Sequence, residues 1–298
     1  MTNNIKTLDS QYIANTYSRY PVQIVDGEGS ILTDENGKHY IDLGSGIGVN
    51  IFGQKDPAWI EAVQTQLHRF QHTSNLYYSA PDAELAEFLC ERTGLKKVFF
   101  SNSGAEANEC AIKAARAYAA AKKGKEWSTI VTLRDSFHGR TLTTLAATGQ
   151  DMFHQDFLPL TPGFVHAEPD DLEGLKQIVR ENRVAGILIE CVQGEGGVRA
   201  LSDAYVKGVA ELCEKEDIVF MTDEVQCGNG RTGKLYAYEH YGVLPDVVST
   251  AKGLGGGLPI GATMLGMKVE NVFTPGKNGS TFGGNPVCMA AAQAVLDV

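Results

Sequence analysis

Long apolar runs are missing from this chain of 298 residues. None approaches the roughly 18–20 positions of a membrane-spanning helix, which excludes such a span within these residues. Basic residues are also scarce, with 26 Lys and Arg against 36 Asp and Glu. The formal net charge of −10 argues against a general nucleic-acid binder but leaves room for a local basic pocket. Six cysteines (Cys90, Cys110, Cys191, Cys213, Cys227, Cys288) lie far apart with no CxxC pair, so zinc ligation is not indicated. Reduced thiols in a cytoplasmic setting are the expectation. The opening MTNNIKTLDSQYIANTY lacks the charged start and apolar run of a secretory signal. Internal repeats, low-complexity tracts and long linkers are absent too. What remains is an ordinary globular composition, 43% hydrophobic and 21% charged, long enough for one or two domains.

The first segment reads as short strands (22–25, 30–33, 39–43), with turns expected at Asp26-Gly27 and Asn36-Gly37. Asp56-Pro57 looks like an N-cap and first-turn proline, opening a helix to about His68. Helices are then predicted over 81–92 (closed by Gly94), 105–121, 171–181 and 203–215, and another from about Pro286. Apolar strands are predicted over 98–101, 128–133, 186–190, 218–222, 247–250 and 262–266. Those strand runs are continuous rather than alternating, which suits a mainly parallel α/β sheet covered on both faces. In such sheets ligands gather beyond the carboxyl ends of the strands. The expected division is a partial small α+β domain over 1–52 and a large domain over 53–298. Because the chain stops at Ala-Val-Leu-Asp-Val inside its last helix, it is expected to be truncated.

Most polar motifs fall just after these strands. Ser101-Asn102-Ser103-Gly104-Ala105 joins an apolar strand to an Ala-rich helix. Its free N–H groups suit a phosphate, though taken alone these residues read first as a plain Ser N-cap with a turn glycine. Asp223 and Glu224 end a strongly apolar strand, where a carboxylate needs a facing cation unless it is solvated. Lys252 comes after another apolar strand and opens the glycine cluster Gly253 to Gly257. That gives an amine room for Schiff-base chemistry, though a surface lysine in a flexible turn fits as well. Gly228-Asn229-Gly230-Arg231-Thr232-Gly233 satisfies GxGxxG, with Asp246 18 residues beyond Gly228. The next residues, Lys234-Leu235-Tyr236-Ala237, make a poor helix start, which weighs against a dinucleotide site.

The three motifs together say more than each alone. An anion site, an acid for a ring nitrogen and a lysine for an aldehyde are what pyridoxal 5'-phosphate requires. Phe137-His138-Gly139-Arg140 adds an aromatic able to stack on the ring and an arginine able to pair with a carboxylate.

Here the sequence resembles the class III aminotransferases of fold type I over essentially its whole length. The resemblance runs through Tyr17 to Val22, Asp34 to Asp42, Ser45 to Asn50 and Ser74 to Tyr78, and is most specific at Asp223 to Gly233 and Lys252 to Gly261. It implies a seven-stranded-type sheet and a cofactor phosphate on the N–H groups of Gly104 and Ala105. Phe137 and Val225 would cover the two ring faces. Asp223 would pair with the ring nitrogen, Gln226 would lie near the ring hydroxyl, and Lys252 would hold the aldehyde. Arg140 is similar to the arginine that takes a substrate carboxylate, and Glu195 to the acid gating a second substrate arginine. Ser280 and Thr281 resemble a loop that crosses a homodimer, Thr281 to the partner's phosphate and Ser280 towards substrate. Cys191 departs from the family's usual proline, and the resemblance implies a C-terminal small domain beyond residue 298 that carries the second substrate arginine. The N-terminal motifs are most similar to those of members that use acetylornithine. That implies amino transfer from N2-acetyl-L-ornithine to 2-oxoglutarate, giving N-acetyl-L-glutamate 5-semialdehyde and glutamate in arginine biosynthesis. Ornithine, succinyl-diaminopimelate and 4-aminobutyrate aminotransferases, a semialdehyde aminomutase, and a cofactor-binding fragment without turnover are the rival readings.

Overall fold

The computed structural model describes residues 5–298. The first segment forms an antiparallel sheet of β1 (Ile24–Glu28), β2 (Ile31–Asp34) and β3 (His39–Ile41). The turn at Asn36-Gly37 is where expected. The Asp34 carboxylate accepts the N–H groups of Asn36 and Lys38, each at 2.9 Å, and Gly37 takes a φ of 78°. The Asp26-Gly27 turn is not: both residues lie inside β1, and the chain reverses at Gly29-Ser30. Gly27 serves close packing instead, since a Cβ there would fall 2.8 Å from Gln54 Cγ. Gly29 exchanges two backbone bonds with Gln54, at 2.9 and 2.7 Å.

The main sheet contains β4 (Lys97–Ser101), β5 (Thr129–Leu133), β6 (Phe164–Ala167) and β7 (Val184–Ile189). A small ribbon, β8 (Val192–Gln193) with β9 (Arg199–Ala200), comes next in the chain. The main sheet is completed by β10 (Val219–Asp223), β11 (Val247–Thr250) and β12 (Gly261–Leu265). Its order is β4-β12-β11-β10-β7-β5-β6, and only β12 runs against its neighbours. Every residue of β7, β10, β11 and β12 is buried, as strands covered on both faces require. Val219 and Met221 join one apolar cluster with Ala111 and Ala115, while Phe220 joins the other with Val206 and Val209. The alternation of Cβ direction along β10 thus feeds two cores, one per face.

The covering helices start at caps legible in the sequence. Pro57–Arg69 is capped by Asp56, Leu172–Glu181 by Asp171 and Asp203–Lys215 by Ser202. Ala80–Thr93 closes on Gly94, whose φ is 78°. Gly104–Lys122 packs on β11, β12 and β7. Pro286–Leu296 is capped by the Asn285 side chain, which accepts from the N–H groups of Val287 and Cys288. The strand β6 and the short helix Leu142–Ala147 were not among the expected elements. Because β4, β10 and β11 share one direction, Ser101, Asp223 and Thr250 finish on the same edge of the sheet.

Candidate active site

The segment after β4 turns into a helix through a reciprocal cap. Ser103 Oγ accepts the Glu106 N–H at 3.2 Å, and Glu106 Oε2 accepts the Asn102 N–H at 2.6 Å. As at any helix start, the N–H groups of Gly104 and Ala105 have no intrahelical acceptor and are left for an anion. Gly104 is needed for clearance: a Cβ there would lie 2.6 Å from Val225 Cγ1.

Asp223, at the end of β10, is 3% exposed. One oxygen accepts the Val225 N–H at 2.9 Å; the other accepts Asn108 Nδ2 at 2.7 Å and meets His138 Nδ1 at 2.8 Å. Asn108 is fixed in turn by Ser249 Oγ at 2.5 Å. A carboxylate offers about four lone-pair sites, so three partners leave capacity for one donor from the cavity. That remaining acceptor capacity suits a protonated ring nitrogen, which donates.

Lys252 stands just beyond the end of β11, after Ala251. It has a φ of 46°, a left-handed conformation uncommon for a residue with a side chain. Asn229, inside the GxGxxG stretch, holds the preceding residues by donating to Thr250 Oγ1 and the Ala251 carbonyl, both at 2.9 Å. No helix opens at that stretch; it is a run of turns. Lys252 Nζ donates to Gln226 Oε1. Burial pulls the Lys252 pKa down, opposed by the charges of Asp223, Glu195 and Glu190.

These groups line one cavity of about 470 Å³. Gly104, Ala105, Phe137, Arg140, Glu195, Asp223, Val225, Gln226 and Lys252 all face it. Ser280 joins its rim through a 3.1 Å bond between Asn102 Nδ2 and Ser280 Oγ. Thr281 is exposed and does not line the cavity. Among the described residues no cluster of His, Cys, Asp and Glu is arranged to hold a metal ion. The polar lining residues Asn108, His138 and Glu190 were given no role by the sequence reading. Glu190 Oε2 accepts the Phe137 N–H at 3.0 Å, and burial, with the Asp223 charge behind it, holds the Glu190 pKa well above the usual range. It follows the last residue of β7, much as Asp223 ends β10, so the strand-end-acid signal applied a second time would have found it.

The class-III aminotransferase sequence pattern matches residues 12–298. The chain belongs to the class III aminotransferases. Membership implies dependence on pyridoxal phosphate. This aminotransferase is 52% identical to the acetylornithine aminotransferase of Haemophilus ducreyi, over 99% of this chain and 75% of the relative. It is 48% identical to a succinylornithine transaminase of Salmonella paratyphi A, over 97% and 70%. A solved Toxoplasma gondii ornithine aminotransferase, with PLP in partial occupancy at its active site, superposes with a TM-score of 0.94. The two share 33% identity, covering 100% of this chain and 71% of that one.

Beside the cavity, Glu224 is buried and its pKa is pushed up to about 7 by burial. Its oxygens accept the N–H groups of Ala237 (2.7 Å) and Tyr238 (2.9 Å), both buried residues. Glu224→Ala leaves those donors unpaired, and urea unfolding is expected to show a loss of about 2–5 kcal/mol. The folded aminotransferase keeps a proton on Glu224 that the unfolded chain, at the ordinary 4.5, gives up. The stability this group contributes is therefore present below pH 4.5 and lost as the pH rises towards 7. The wild-type advantage over Glu224→Ala should shrink across that window; an advantage that grows would show an ionised Glu224 in the fold.

Proposed function

We propose that this aminotransferase uses pyridoxal phosphate, held at Lys252, to move the terminal amino group of N2-acetyl-L-ornithine to 2-oxoglutarate. The observation that carries the reading is the meeting of an open helix N-terminus, a strand-end carboxylate and a partly buried lysine on one cavity. The cofactor supplies, when bound, an electron sink for negative charge at the substrate carbon.

The protein's own groups do the rest. The Gly104 and Ala105 N–H groups receive the phosphate. Phe137 and Val225, which line the cavity, would cover the ring, and Gln226 would lie near its hydroxyl. Asp223, oriented by His138 and Asn108, keeps the ring nitrogen protonated. Lys252, whose burial favours the neutral amine, would hold the cofactor and, once free of it, accept a proton from the substrate carbon at Nζ. Arg140 takes a substrate carboxylate, and Glu195 sits close enough to Lys252 for its charge to be felt there. Thr281, exposed and off this cavity, serves a second copy of the chain in a homodimer; light scattering at the mass of one chain would remove that part of the reading.

The choice of acetylornithine rests on the Haemophilus ducreyi relative, and the Salmonella paratyphi A relative favours N2-succinylornithine as a second donor. Steady-state rates with acetylornithine, succinylornithine, ornithine and 4-aminobutyrate, each with 2-oxoglutarate, test this. Acetylornithine is expected to give the highest kcat/KM. A higher value for ornithine or 4-aminobutyrate overturns the assignment while leaving the family untouched.

A further inference from the structure

Arg140 is exposed, and no carboxylate pairs with it among the described residues. Its guanidinium carbon lies 4.1 Å from the ring centroid of Phe153 and 5.5 Å from that of Phe137. The two rings meet edge to face, 5.9 Å between centroids and 80° between planes. Both are anchored independently of Arg140. The Phe137 amide donates to Glu190. Phe153 ends the short turn Asp151–Phe153, and the next residue, His154, is buried. His154 Nε2 donates to the carbonyls of Leu145 (2.9 Å) and Thr148 (2.8 Å).

A mobile arginine gives up rotamer freedom each time it grips a carboxylate. An aromatic ring beneath the guanidinium holds the cation by its face and uses none of its five N–H donors, which stay available to a planar anion. Phe137 already faces the cavity as a ring cover, whereas Phe153 does not line it and makes the closer approach to Arg140.

We propose that Phe153 is a positioning residue for substrate carboxylates, holding the Arg140 guanidinium in place at the cavity before the anion arrives. The proposal rests on the reading of Arg140 as the carboxylate partner. It makes Phe153 a determinant of selectivity for carboxylate-bearing substrates, acting through Arg140 rather than by touching substrate.

The test compares Phe153→Leu, Phe153→Ala, Phe153→Tyr and Arg140→Ala in the holoenzyme. KM and kcat are measured for 2-oxoglutarate, together with the single-turnover rate for 1-aminopentane, an amine without a carboxylate. Phe153→Leu keeps apolar packing and removes the π face. Leu and Ala are each expected to raise the KM for 2-oxoglutarate by roughly three- to thirtyfold, with little change in kcat. Tyr should restore the wild-type KM, and the 1-aminopentane rate should not respond to any Phe153 change. A wild-type KM in Phe153→Leu overturns the proposal. So does an equal loss towards 1-aminopentane, which would make Phe153 a support of the fold or cofactor site. If Arg140→Ala leaves the KM for 2-oxoglutarate unaltered, the carboxylate reading of Arg140 falls and takes this inference with it. If Arg140→Ala raises the KM and Phe153→Leu does not, only the inference fails.

Discussion

Borohydride reduction of the holoenzyme is expected to fix a pyridoxyl group on Lys252 and on no other lysine, as read by peptide mapping. Lys252→Ala should lose that label and reduce turnover by roughly 10³-fold or more, since it removes both the attachment point and the group that moves the proton. The expectation rests on place rather than on residue type. Among the described residues Lys252 is the only lysine lining the cavity, and burial lowers its pKa. The left-handed backbone that presents it is pinned by Asn229. A label on any other lysine would end this account of the site.

Asp223→Asn is expected to keep bound cofactor and to lower kcat by roughly 10²–10³-fold. Retention is expected because the helix N-terminus at Gly104 and the lysine are untouched. The loss is expected because an amide cannot hold a proton on the ring nitrogen as a carboxylate does; charge-assisted hydrogen bonds are about twice as strong as neutral ones. The Asn108 Nδ2 and His138 Nδ1 atoms that now meet one carboxylate oxygen would face a neutral amide. Absorbance of the bound cofactor checks retention, and steady-state kinetics checks the loss. Near-normal turnover would mean that another acid serves the ring, Glu190 being the other buried carboxyl on the cavity wall.

Most of the sheet was legible because its strands are buried on both faces and therefore read as unbroken apolar runs ending in a polar residue. Val247–Thr250 was bounded correctly, and β10 was misplaced only by one residue at each end. β6 was not visible: Phe164–Ala167 contains a histidine, is only four residues long and sits at the sheet edge, where burial is partial. The reversed direction of β12 was equally hidden, since a continuous apolar run carries no mark of its polarity. At the site, Lys252, Asp223 and the helix start at Gly104 could be read because each stands at a strand end. Asn108 and His138 could not, because what gives them a role is Asp223, 115 and 85 residues away along the chain. Asp26-Gly27 misled for a different reason: its glycine answers to the Gln54 side chain and not to a turn.

The reversed strand also decides when the sheet can close at its β4 edge. β4 is an edge strand whose sheet neighbour is β12, pairing Ser101 with Gly261. On the ribosome, β4 emerges early and then waits for a partner about 160 residues later, roughly ten to thirty seconds at ordinary elongation rates. Until then the strip β11-β10-β7-β5-β6 can form without it, with the helix from Gly104 already packed on β11 and β7. A contact of such long sequence separation is slow to close. Closure of the sheet at its β4 edge therefore belongs to the last stage of folding, after β12 has threaded between β4 and β11.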